Sequence, residues 1–245
     1  MKEKIYTIPV NEAYEADCEC PLCFLESKLE SDAVDYALGA AMMEPDYRME
    51  SNEKGYCRHH FSMMFAKPNK LSLALVLDTH LEEICKKIKK HEKEIESLQK
   101  TGLFSKKNHD AAENLEKTLH TQTQSCIICD RINHTMERYL DVLLYLFEND
   151  ENFRKRFEAS KGLCLPHFEA LIRVSKKSMG TTKRNEFLQV LYRLQEKELA
   201  RIQEDIHRFT LKFDYRNQNM EWGTAKDAPV RSIEKITGTI FKTEE

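Results

Sequence analysis

With 245 residues, the chain can bury a substantial core as one domain or two, and 41% hydrophobic against 32% charged residues describes a helix-rich globular protein. A net charge of −3 with a pI near 6.3 excludes a global electrostatic pull toward nucleic acid. No stretch approaches the roughly 18 consecutive apolar residues of a membrane span, and the start, MKEKIYTIPVNEAYEAD, has no apolar signal-peptide core, so a cytosolic protein without membrane contact is expected.

Residues 1–17 are polar with scattered aromatics and are expected to form an extended arm. Cys20-Pro21-Leu22-Cys23 follows, with its proline suited to the first turn of a helix. From Leu22, the residues Leu25, Leu29, Ala33, Ala37, Ala40 and Ala41 recur at helical spacing until Pro45, and 44–54 reads as a polar loop. Gly55, two residues before Cys57, predicts a positive φ that turns the chain back. A short helix is expected from Cys57, carrying Phe61, Met64 and Phe65 inward.

The segment 71–100 reads as a long helix with a heptad seam of Leu77, Leu81, Ile84, Ile88, His91, Ile95 and Leu98. The lysine run 86–90 gives way at once to Glu92, Glu94 and Glu96, which favours a solvated face over a nucleic-acid site. Residues 101–125 open with Thr101-Gly102, contain a modest helical stretch and read as a linker, with His109 and His120 as surface histidines. Next come Cys126-Ile127-Ile128-Cys129 and a helix bearing Ile132, Met136, Tyr139, Leu140, Leu143, Leu144 and Phe147. A charged loop then leads to Gly162 and Cys164-Leu165-Pro166-His167-Phe168. A second long helix, about 184–212, has the seam Leu188, Tyr192, Gln195, Leu199, Ile202, Ile206, Phe209 and Phe213. The tail holds Trp222 and a short helix from an Asp227 cap to a Gly238 stop. No alternating strand pattern occurs, so the expected fold is all-α.

The chain repeats itself. An offset of 106 carries Cys20, Cys23, Tyr47 and Arg48 onto Cys126, Cys129, Phe153 and Arg154. An offset of 107 then carries Gly55, Cys57, His60 and Phe61 onto Gly162, Cys164, His167 and Phe168. The expected organisation is two tandem zinc-stapled helical modules, 1–100 and 126–215, each ending in a long heptad helix, with a linker at 101–125 and a docking tail at 216–245. The two long seams are expected to lie side by side, or to pair between chains.

Each copy supplies three cysteines and one histidine, a closed four-ligand set for a tetrahedral soft-metal ion, zinc above all. The expected sets follow the copies, Cys20, Cys23, Cys57 and His60 in one and Cys126, Cys129, Cys164 and His167 in the other, giving two zinc ions per chain. His60 is preferred to His59 because His60 aligns with His167, whereas His59 aligns with Pro166. Each pair also opens a helix, whose N–H dipoles favour thiolate. Three rivals stay open: an iron–sulfur cluster, a dithiol redox centre in which Cys18 takes part, and a catalytic zinc that sheds a ligand. Phosphate-binding glycine loops, G-x-S-x-G and H-E-x-x-H are all absent, so no other enzyme class is indicated.

The pattern CPLC…GYCRHHF followed by CIIC…GLCLPHF resembles an uncharacterised family of bacterial cytosolic proteins, a domain of unknown function, over most of the chain including Phe213-Asp214-Tyr215-Arg216 and Lys226-Asp227-Ala228. The resemblance implies a paired-cysteine protein and brings no activity or substrate. The expected role is a non-enzymatic interaction or adaptor protein that binds another protein and uses zinc to hold its fold. A thiol- or metal-based redox sensor is the alternative. RNA or ribosome association rests only on basic stretches such as Lys176-Lys177 and Lys183-Arg184.

Overall fold

The computed structural model describes residues 4–100, 106–217 and 219–241, with the side chains of 97–100 and 106–111 also left undescribed, so the Thr101-Gly102 break and the side chains of Leu98 and His109 lie outside it. Every regular element among the described residues is helical, as the periodicity predicts: α1 (Lys4–Glu15), α2 (Pro21–Leu38), α3 (Pro45–Lys54), α4 (Arg58–Ala66), α5 (Lys70–Lys100), α6 (Lys106–Gln124), α7 (Ile127–Asn149), α8 (Glu151–Ala159), α9 (Leu165–Ser178), α10 (Thr181–Leu211) and α11 (Ala228–Thr237). None of these helices is long and apolar enough to cross a membrane.

Two compact units divide the chain differently from the two sequence copies. The terminal unit joins Met1–Lys28 to His134–Glu245, and the central unit is Leu29–Asn133. The helical stretch expected in the 101–125 linker is α6, and it packs along α5 inside the central unit.

In the terminal unit the core is aromatic. Phe153 and Phe157 are the two buried residues of α8, one helical turn apart, and Phe147 meets Phe157 and Phe187 edge-to-face at centroid distances of 5.3 and 4.9 Å. Tyr14 of α1 joins them, 5.0 Å from Phe153. The N-terminal segment is therefore a helix rather than an extended arm, because Val10, Ala13 and Tyr14 sit at i, i+3, i+4 and bury one stripe. Pro9 inside it forgoes one backbone hydrogen bond. The stripe predicted on α7 is buried at every position from Ile132 to Phe147.

The central unit packs α5 against α3, α4 and α6. Arg48 of α3 donates to Leu75 O at 3.1 Å and to Thr79 Oγ1 at 2.7 Å, tying α3 to α5. Both stretches read as polar or charged loops, 44–54 and 150–161, are helices. Pro45 begins α3 rather than ending α2's run, and Asp150 caps α8 by accepting from the N–H groups of Asn152 and Phe153. The one-residue change of offset falls at their exits: α3 runs directly into Gly55, whereas α8 ends at Ala159 and needs Ser160 and Lys161 before Gly162. Both glycines adopt positive φ, +69° and +75°. On α4, Met64 is buried as expected, but Phe65 stands out in solvent beside Lys70.

The long helices bury only part of the seams predicted for them, Gln195 and Ile202 in α10. Leu81 and Ile88 of α5 are 55% and 43% exposed, and Tyr192 and Phe213 at the second seam are 48% and 74% exposed. In α5 the buried positions are Leu73, Val76 and His80. In α10 they are Phe187, Leu191, Leu194, Gln195, Glu198, Ile202 and Asp205. The packed seam is shifted by about one position because it includes polar residues that have partners. His80 Nδ1 meets Asn52 O at 3.0 Å, and Gln195 both accepts from Leu163 N and donates to Leu163 O. Each long helix finds its cover in its own unit: α5 against α6, and α10 against α11, α8 and α9. Facing α6, His91 is half-buried between Glu94 and Thr118.

Candidate metal centres

The four Cys-containing motifs share one local construction. Cys20 and Cys126 each stand one residue before a helix start, and Cys57 and Cys164 are N-caps with almost the same backbone, φ −71°/ψ 166° and φ −70°/ψ 160°. In α7 and α9 the first turn presents an N–H group to sulfur: Cys129 N lies 3.5 Å from Cys126 Sγ, and His167 N lies 3.5 Å from Cys164 Sγ, whereas Cys57 makes no such cap bond on α4.

The fold brings together all eight residues singled out in the sequence, but not in the sets expected. Cys20 and Cys23 meet Cys164 and His167 in the terminal unit, and Cys57 and His60 meet Cys126 and Cys129 in the central unit. The C-x2-C of each copy thus faces the C-x2-H of the other. The within-copy assignment is corrected: 34 residues separate Cys23 from Cys57, while the Cys23–Cys164 contact spans 141. The two C-x2-H motifs are chemically interchangeable, and packing of the helices that carry them decides which is met.

In each group the four ligand atoms lie within 4.8 Å of one another. In the terminal site His167 Nδ1 is 3.7, 3.3 and 3.2 Å from the sulfurs of Cys20, Cys23 and Cys164, and Cys23 and Cys164 are 3.4 Å apart. In the central site His60 Nδ1 is 3.2, 3.2 and 3.4 Å from Cys57, Cys126 and Cys129, and Cys57 and Cys129 are 3.7 Å apart. A zinc ion with ordinary Zn–S and Zn–N bonds in a tetrahedron requires S···S of about 3.8 Å and S···N of about 3.6 Å. The observed distances match this within about 0.4 Å, and with all four atoms of each group within 4.8 Å each could hold one metal ion.

The remaining nitrogen of each histidine meets a carboxylate from α2: His60 Nε2 is 3.1 Å from Glu30, and His167 Nε2 is 3.6 Å from Glu26. A carboxylate on that side favours the tautomer that leaves Nδ1 facing the sulfurs. His59, the neighbour not expected to be a ligand, is exposed and bonds to Glu30 at 2.9 Å.

Without metal, each cluster shares protons unevenly. Burial opposes a charge on His60 and on His167, but hydrogen bonds to Cys126 and Glu30 in one case, and to Cys164 and Cys20 in the other, carry both up to about 10. Burial likewise opposes a thiolate at Cys126, yet hydrogen bonds from His60 and from backbone N–H groups bring it down to about 6. Cys20 is lowered in the same way against its own burial, by hydrogen bonds with Cys164, Cys23 and His167. The second cysteines go the other way: Cys23 is raised by its hydrogen bonds to Cys164 and Cys20 and by burial, and Cys129 by burial and the Cys126 charge. A dication replaces the protons that the four groups otherwise divide.

Of the two leftover cysteines, Cys85 is exposed. Cys18 is half-buried, and burial together with the Cys20 charge pushes its thiol up to about 11, so it is a poor nucleophile.

Three residues around the terminal site escaped sequence reading. Gly238, at φ +79°, ends α11 against the sulfurs: a Cβ there would lie 3.3 Å from Cys164 Sγ and 3.6 Å from Cys23 Sγ. Lys235 is fully buried, and its ammonium donates to the backbone carbonyls of Glu19 (2.6 Å) and Lys161 and lies 3.3 Å from the Glu19 carboxylate. Glu19 in turn binds Arg201 at 2.6 Å. Lysine and glutamate are rarely buried unless paired. The spacing of Lys235 and Glu19 in the sequence, 216 residues, gave no sign of the pair.

Among characterised protein families, this chain matches one described as a family of unknown function (DUF6062), over residues 1–243. No curated protein and no solved structure matches.

Proposed function

The chain belongs to this family of unknown function, and on that premise we propose that it is a zinc-binding protein of the interaction or adaptor type, in which two zinc ions help to hold the fold and turn over no substrate. The observation that carries this reading is the cross-copy pairing of the ligands. Each ion would clamp the start of a helix from one copy to the start of a helix from the other, so each unit is built from both halves of the duplication. A structural site uses all four positions for protein ligands, and both cages offer four, leaving no place for a substrate. Ligand atoms within 4.8 Å of one another suit one ion better than a cluster of several irons. Eight free thiols suit a reducing compartment such as the cytosol.

A protein partner is favoured over nucleic acid because each of the two basic stretches that suggested the latter has a lysine already held by glutamate. Lys86 lies 2.9 and 2.8 Å from Glu82 and Glu83, and Lys183 lies 2.8 Å from Glu148. Metal analysis of the untagged protein tests the reading. Two zinc ions per chain, held against a competing chelator and without colour, are the expected result. One ion or none, or a brown protein carrying iron and sulfide, would refute it.

A further inference from the structure

The ligand residues of the two sites differ in their exposure to solvent. In the terminal site all four ligands are buried, and the Gly238 turn lies against two of the three sulfurs. Lys235, one turn earlier on α11, fastens this helix to the backbone of Glu19, the residue before Cys20. In the central site Cys126 and His60 are buried, but Cys57 and Cys129 are both partly exposed. Those two sulfurs are neighbours, 3.7 Å apart. Proximity alone does not separate the sites, since Cys23 and Cys164 are 3.4 Å apart. Access does.

We propose that the central site is an oxidant-responsive metal site, in which peroxide joins Cys57 to Cys129 and releases the ion, while the terminal site stays closed and keeps the fold. The proposal deepens the zinc reading and rests on it. One exposed thiolate attacks a peroxide oxygen, the O–O bond breaks, and a sulfenic acid forms with loss of hydroxide. The second thiolate attacks that sulfur, the S–S bond forms, and a second hydroxide leaves. Two thiolates are oxidised by two electrons, hydrogen peroxide is reduced to two hydroxides, and the zinc ion departs as the unchanged dication. Only Cys126 and His60 then remain at the site, two ligands where four are needed. Solvent access to sulfur governs which thiolates enter this chemistry.

The test uses the full chain with Cys18→Ser and Cys85→Ser, which removes the thiols outside the two sites. Bound zinc is counted first, and hydrogen peroxide is then added with a chromogenic zinc chelator. One ion per chain is expected to leave at least about tenfold faster than the other, as the difference in thiolate access predicts. Peptide mapping of the chain after the first release should show a Cys57–Cys129 disulfide with Cys20, Cys23 and Cys164 still reduced. Reductant with added zinc should restore two ions. Loss of both ions at one rate, retention of both, or a first disulfide containing Cys20, Cys23 or Cys164 overturns the proposal. A chain that takes up fewer than two ions also overturns it, through the zinc reading, and is recognised because that count precedes the oxidant.

Discussion

Paired cysteine substitutions distinguish cross-copy from within-copy coordination by counting metal. Cys23→Ser with Cys164→Ser removes two ligands that lie 3.4 Å apart in one cage. Cys23→Ser with Cys57→Ser removes one ligand from each cage, although both residues belong to the first sequence copy. A structural zinc site contributes on the order of 10 kcal/mol of folding free energy, and losing one thiolate forfeits several kcal/mol of it. Within one cage the second substitution adds little, since the site is already lost, so the double variant should be about as stable as the worse single one. Across two cages the losses add, and their sum approaches the roughly 5–15 kcal/mol that keeps a typical domain folded. The first double variant is therefore expected to retain one tightly held ion and a helical circular-dichroism spectrum. The second should retain none against a competing chelator and should unfold at much lower denaturant. If Cys23→Ser/Cys57→Ser keeps one ion while Cys23→Ser/Cys164→Ser keeps none, the cross-copy arrangement is wrong.

Other substitutions probe the surroundings of the cages. Lys235→Met leaves Glu19 and two backbone carbonyls without their ammonium donor and should cost about 3–5 kcal/mol in urea unfolding. A neutral result would mean that Arg201 and Arg231 satisfy Glu19 without it. Glu30→Ala removes the carboxylate 3.1 Å from His60 Nε2 and should weaken zinc at the central site about 10–100-fold in chelator competition, with the terminal site unaffected. Glu26→Ala should do less at the terminal site, where the corresponding distance is 3.6 Å, and equal losses from the two variants would contradict this ranking. At Gly238 the left-handed backbone disfavours any side chain by about 1–2 kcal/mol, so Gly238→Ala should lower Tm by roughly 3–6 °C. An unchanged Tm would show that the turn relaxes away from φ +79° without loss.

All eight residues of the two Cys/His clusters could be read from the sequence because C-x2-C and C-x2-H-F recur in two copies at nearly one offset. Their partition could not. Two identical grammars permit either pairing, and which C-x2-H a C-x2-C meets depends on helix packing that no local pattern encodes. The long helices were visible, but their buried faces were misplaced by about one position. Apolar periodicity cannot count Glu198, Asp205 or His80 as core, and each is buried only because Arg201, Arg231 or the Asn52 carbonyl meets it. The α3 and α8 segments looked like loops because each buries just two residues, Tyr47 with Ser51 and Phe153 with Phe157, amid charge. The C-terminal helix was legible from its Asp227 and Gly238 ends, yet nothing in those residues announced that the glycine would stand against two cysteine sulfurs.

The crossed pairing also sets an order of events as the chain is made. Cys20 and Cys23 emerge first, and the next C-x2-H to appear is the wrong one, 34 residues on, while the right one lies 141 residues beyond Cys23. Loop-closure entropy favours the nearer partner by about 1 kcal/mol, and domains tend to fold from the N-terminus as they are synthesised. A metal ion captured at that moment would staple the first copy to itself in a complete but non-native cage. If the clusters are metal sites, correct maturation then requires that the early ion exchange, or that metal arrive late. The central unit can assemble its own cage once Cys129 has been made, which removes Cys57 and His60 from competition. Cys20 and Cys23 then have one complementary pair left to wait for.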